Sequence, residues 1–141
     1  MRGRYASSKG ETQKLHLIIN GLLTAIPTRA QLLAFLTELP ALLGMKAITE
    51  PRVILWPQNI AGYVIIAESH ISVHIVGDRV FLDIFSCKPF DVAQAELEVV
   101  KRLPMQAYES ALLNRPLPPI PFFPTVLAPA SRWLSGLAPE L

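Results

Sequence analysis

Cysteine is nearly missing, with Cys87 the single one in 141 residues. That excludes an internal disulfide framework and a cysteine-rich zinc ribbon. Charge is scarce too: Asp, Glu, Lys and Arg make up 17%, and the net formal charge is only +2. The basic residues are dispersed, so the electrostatic footprint of a nucleic-acid binder is lacking. No apolar run reaches the roughly 18 residues of a spanning helix, because Pro27, Thr28 and Arg29 break the longest candidate. Residues 15–26 imitate the apolar stretch of a signal peptide, yet His16 and Asn20 interrupt it and no small-x-small cleavage site follows. These absences predict a soluble cytoplasmic protein that engages neither membrane nor nucleic acid. What is plentiful is apolar: 51% hydrophobic content argues against a disordered chain, and the length suits one modest core.

Residues 1–13 are polar and read as a flexible lead-in, and residues 14–113 read as a single domain. Leu15–Ile19 suits a buried strand. Thr28 is placed to cap a helix whose apolar positions run from Ala30 to Leu43, with Pro40 predicting a kink or an end near Leu39 and Gly44 a stop. Val53–Leu55, Tyr63–Ala67, Ile71–Val76 and Val80–Phe85 are dense in β-branched and aromatic residues, and Gly77-Asp78 supplies a tight turn. Asp91 can cap a second helix, and Met105–Leu113 reads as a last strand. Residues 114–141 form a Pro-rich apolar tail; Phe122 and Phe123 there read as packing residues. The order of elements predicts an α+β fold, a mainly antiparallel sheet with helices on one face.

Chemistry concentrates in Glu68-Ser69-His70-Ile71-Ser72-Val73-His74 and in Asp83-Ile84-Phe85-Ser86-Cys87. A buried hydroxyl or imidazole left without a partner costs about 1–3 kcal/mol, so such a cluster needs a complete network or a use. Metal binding is one use, drawing on His70, His74, His16, Asp83 or Cys87. The i, i+4 spacing of His70 and His74 converges on a helix, however, and separates them by roughly 13 Å on the strand this pattern predicts. We therefore expect no metal. A Ser/His/Asp hydrolase lacks its Gly-x-Ser-x-Gly elbow around Ser69.

The third use rests on a resemblance. The Glu-Ser-His triplet at Glu68, the second histidine five residues after the serine, and the downstream Cys87 resemble the prokaryotic S-adenosylmethionine decarboxylases, as a divergent member. His16, Pro57 and Gly62 fit the same pattern, which covers roughly residues 14–110. The resemblance implies a two-layer α/β sandwich whose protomers pair as a dimer, with the active site close to the interface. It also implies self-processing: Ser69 attacks the Glu68 carbonyl, and the chain divides into a β fragment ending at Glu68 and an α fragment beginning at residue 69. The former serine becomes a pyruvoyl group, which forms a Schiff base with the substrate amine and takes up the electrons released with carbon dioxide. His74 would be the processing base and Cys87 the proton donor to the product. An extended chain puts His74 about 16 Å from Ser69, so His74 reaches it only if the chain reverses near Ser69-His70. Trp56, Leu55, His16 and Asp78 would contact substrate, whereas His70 and Asp83 read as structural anchors.

Three departures from the family stand out. Ala61 replaces the serine usual before the glycine. Ile75-Val76-Gly77-Asp78 replaces Thr-Trp-Pro-Glu, whose carboxylate binds the ribose hydroxyls of S-adenosylmethionine. Asn20 replaces an acid in the first strand, and Leu55 a phenylalanine beside Trp56. The first bears on processing and catalysis, but together the losses fall more on nucleoside recognition than on pyruvoyl formation and leave Ser69, His74 and Cys87 in place. The family default is decarboxylation of S-adenosylmethionine for spermidine and polyamine biosynthesis. The departures open the same chemistry on arginine or ornithine, and an unprocessed, non-catalytic homologue that binds a ligand or a partner.

Overall fold

A computed structural model of the protein describes residues 14–115. The lead-in expected over 1–13 and the Pro-rich stretch from 116 onward, with Phe122 and Phe123, lie outside those residues. In chain order the elements are β1 (Leu15–Leu23), α1 (Arg29–Leu42), β2 (Arg52–Trp56), β3 (Asn59–Ile66), β4 (Ser69–Val76), β5 (Arg79–Ser86), α2 (Val92–Arg102) and β6 (Met105–Asn114). The strands form one sheet in the order β2-β3-β4-β5-β1-β6, every neighbouring pair antiparallel. Both helices cover the same face, which gives the expected two-layer α/β sandwich.

Period-two patterning decides which face is covered. Ser69, Ile71, Val73 and Ile75 of β4 are buried, as are Val80, Leu82, Ile84 and Ser86 of β5. Leu32, Phe35, Leu36 and Leu39 of α1 and Ala95 and Val99 of α2 close the core over them. Thr28 caps α1 as its sequence predicts. The Gln31 N–H donates to Thr28 Oγ1 at 3.1 Å, and the Thr28 N–H donates to Gln31 Oε1 at 2.9 Å. Pro40 does not end the helix near Leu39: α1 runs on to Leu42 with Pro40 buried inside it. In the last turn proline forfeits little of the ladder, and its ring adds to the core. Gly62 lets α1 approach, since a β-carbon there would stand 2.8 Å from Leu36 Cδ1. No helix among the described residues is long and apolar enough to cross a membrane.

Among the described residues no helix covers the other sheet face. Alternation and register place on it His16, Ile18 and Asn20 of β1, Phe81, Asp83 and Phe85 of β5, His70, Ser72 and His74 of β4, and Ala61 and Tyr63 of β3. Trp56, Tyr63, Val76 and Phe81 are large, apolar and exposed there. An uncovered face of this kind calls for a further layer.

Candidate active site

Two hairpins bring the Glu68–Ser69 link beside Cys87. β3 returns into β4 through the two residues Ala67 and Glu68, with Ile66 opposite Ser69. Ala67 holds a positive φ of 47°, a left-handed conformation that costs a non-glycine residue about 1–2 kcal/mol. The strain therefore sits one residue before Glu68. Antiparallel pairing of His70 with Phe85 then lays the start of β4 along the end of β5. The Cys87 N–H donates to Ser69 Oγ at 3.0 Å, and the Cys87 thiol donates to the Glu68 carbonyl oxygen at 3.4 Å. Ser86 fixes this corner, because its hydroxyl donates to the Lys88 carbonyl at 2.7 Å and accepts from the Lys88 N–H at 3.1 Å. The Ser69 hydroxyl, the Glu68 carbonyl and the Cys87 thiol thus meet at one end of the sheet.

On the open face at that same end, His70, Phe85 and His16 stand side by side on β4, β5 and β1. Ring centroids are 5.5 Å apart for His70 and Phe85, and 6.1 Å for His16 and Phe85. Asp83 lies 2.8 Å from His16 Nε2. Arg115 holds its guanidinium carbon 5.0 Å from the centre of the Phe85 ring. Burial first, and then the charges of His16 and Arg115, push the His70 imidazole below its ordinary value; Asp83 opposes them. Arg115 and Phe85 escaped sequence reasoning, as nothing in their spacing marks a pair joined only by the β5-β1-β6 order.

The remaining candidates lie elsewhere. β4 runs unbroken from Ser69 to Val76, so the reversal expected near Ser69-His70 does not occur. Strand geometry puts His74 about 16 Å further along, and on the open face while the Ser69 side chain faces the helices. His74 is exposed, directly opposite Ala61 and Phe81. Ala61 is therefore the cross-strand neighbour of this histidine, and it offers no hydroxyl. Asp78 in the β4-β5 turn, and Leu55 and Trp56 at the end of β2, lie at the far end of the sheet, beyond His74. A groove of about 460 Å³ opens near that end, lined among others by Asn20, Arg79, Phe81 and Glu109. The chain thus divides the candidates into a Ser69–Cys87–His16 group and a His74–Asp78–Trp56 group.

A family model described as S-adenosylmethionine decarboxylase matches residues 20–116, more than half of the chain. In fold the chain is similar to the crystal structure of the adenosylmethionine decarboxylase from Aquifex aeolicus VF5. That likeness has a TM-score of 0.66 and 17% identity, and covers 77% of this chain and 95% of the other. Among curated proteins none matches.

Proposed function

The chain belongs to the S-adenosylmethionine decarboxylase family, and from that premise we propose that it cleaves itself between Glu68 and Ser69 and acts as a pyruvoyl-dependent decarboxylase. The observation that carries this reading is the double contact of Cys87 with the Glu68–Ser69 link. An amide resists a neutral hydroxyl unless its carbonyl is polarised and its nucleophile held in place. The thiol supplies the first need and the Cys87 N–H the second. Attack forms the Oγ–carbonyl bond and breaks the amide C–N bond, leaving an ester and a free amine. A base then removes the Ser69 α-proton, the Cβ–Oγ bond breaks, and Glu68 leaves as a carboxylate. Water replaces the nitrogen, which departs as ammonia. The pyruvoyl group so formed would supply the electron sink for loss of carbon dioxide. Cys87, beside it, would carry a proton to the product.

His74 is the base by family resemblance, and its distance from Ser69 in one chain gives the partner its part. Two copies stacked with their open faces together and antiparallel would set the His74 end of one against the Ser69 end of the other. Trp56 and Asp78 would arrive with His74, whereas Leu55 alternates with buried Val53 onto the helix side of the sheet and would not. The exposed apolar residues of that face supply the surface for a homodimer. S-adenosylmethionine is the substrate by family membership, and its decarboxylated product is an aminopropyl donor for polyamine synthesis.

Intact-mass measurement of freshly purified protein tests the reading. Two fragments meeting at Glu68 and residue 69 are expected, with Ser69→Ala leaving one full-length species. A folded wild-type protein that stays whole indefinitely overturns it. One observation favours the alternative of an unprocessed binding homologue, the missing hydroxyl at Ala61 opposite His74.

A further inference from the structure

Decarboxylation through a carbonyl cofactor begins with a proton problem. The substrate amine arrives as an ammonium ion with no lone pair, and some base must relieve it of a proton. The groups already assigned have other tasks: Cys87 carries a proton to the product, and His74 serves as the base of self-cleavage. At the Ser69 end of the open face the described residues hold a histidine and a carboxylate 2.8 Å apart, His16 Nε2 and Asp83 Oδ1. Neither belongs to the core, and side-chain exposures of 19% and 36% leave both reachable. His16 is separated from the Ser69 strand only by β5, an interval of about 10 Å between backbones, with Phe85 between them; the Ser69 side chain faces the helices, so His16 would act on the ammonium as it approaches residue 69 across the open face.

Resting on the pyruvoyl reading, we propose that His16, oriented by Asp83, is the base that deprotonates the incoming substrate ammonium. A carboxylate only accepts hydrogen bonds, so Asp83 keeps the ring proton on Nε2 and leaves the lone pair on Nδ1. The step is a single proton transfer: imidazole and ammonium become imidazolium and amine, and no other reactant is consumed. Asp83 is a positioning residue that fixes the tautomer and steadies the imidazolium, the logic of a carboxylate–histidine pair in general. The charged and titratable groups around His16 are Asp83 on β5, His70 on β4, Arg115 after β6 and Lys14 just before β1.

Two measurements test this. In the uncleaved Ser69→Ala protein, S-adenosylmethionine is titrated while the ring nitrogens of labelled histidine are followed by NMR. The His16 signals are expected to shift, and Asp83→Asn is expected to redistribute the proton between the two nitrogens; signals unmoved by saturating ligand overturn the proposal. In cleaved protein, His16→Gln is expected to lower kcat about 100-fold or more, with KM within about threefold, and to flatten the acid limb of the pH–rate profile. A His16→Gln protein that divides into its two fragments and turns over at the wild-type rate overturns this inference and leaves the decarboxylase reading standing. A wild-type protein that never divides removes the decarboxylase reading itself.

Discussion

At the scale of single residues, the site is governed by what stands one strand away. His74 faces Ala61, with a cross-strand separation of about 5 Å between β-carbons. A hydroxyl at that point would give the imidazole a partner to hold its orientation. Ala61→Ser is therefore expected to speed self-cleavage roughly fivefold, the equivalent of about one net hydrogen bond of 1 kcal/mol. The fraction cleaved against time, read by intact mass, checks it, and a rate unchanged from wild type counts against His74 as the base. His70 makes a different prediction. Its imidazole is pushed below the ordinary value of 6.5 by burial, then by His16 and Arg115. The unfolded chain consequently takes up this proton before the folded one. The contribution of His70 to stability is intact above about pH 6.5 and is lost as pH falls from there towards the lowered folded value. Denaturant midpoints of wild type and His70→Phe should run parallel above neutrality and converge or cross on acidification, the wild type losing more. Equal losses in both would place the acid sensitivity elsewhere.

At the scale of elements, strands and helices were legible because their signals are local. The β-branched runs, the Gly77-Asp78 turn and the caps at Thr28 and Asp91 all act within a few residues, and all lie where their chemistry predicts. Pro40 does not end the helix near Leu39, because a proline's cost depends on its place in the helix and the final turn forgives it. The site was legible only in part. Ser69 and Cys87 could be named from the motif, but the thiol's contact with the Glu68 carbonyl depends on a β4-β5 register fixed by core packing. Arg115 over Phe85 depends on β6 joining the outer side of β1, a long-range pairing with no local signature. Gly62 joins the two levels. It looks like a motif residue, and in the fold it is the point where α1 closes on the sheet. Gly62→Ala should cost about 1–3 kcal/mol in chemical denaturation, because Leu36 is fully buried and has no room to retreat. An alanine tolerated without loss would show that α1 can ride up on the sheet.

At the scale of the whole molecule, the open face and the divided site are one problem. A sheet that covers one face with helices and exposes Trp56, Tyr63, Val76 and Phe81 on the other is half of a sandwich. Its candidate residues are likewise half of a site at either end. The proposed stacking of two copies about a two-fold axis that runs across the strands would answer both, since that axis pairs each end with its opposite. The consequence is testable by complementation. Ser69→Ala lacks the nucleophile and His74→Ala lacks the base, so neither should cleave alone. Co-expressed, they form mixed dimers in which the His74→Ala chain keeps its own Ser69 and receives His74 from the other chain. Half of a statistical mixture is the mixed dimer, so about half of the His74→Ala chains should divide and none of the Ser69→Ala chains. If the mixture stays as inert as its parts, while wild type cleaves and runs as a dimer, His74 does not act across the interface. If the His74→Ala chain cleaves on its own, another base within the protomer serves Ser69, and the open face must be stacked for some other reason.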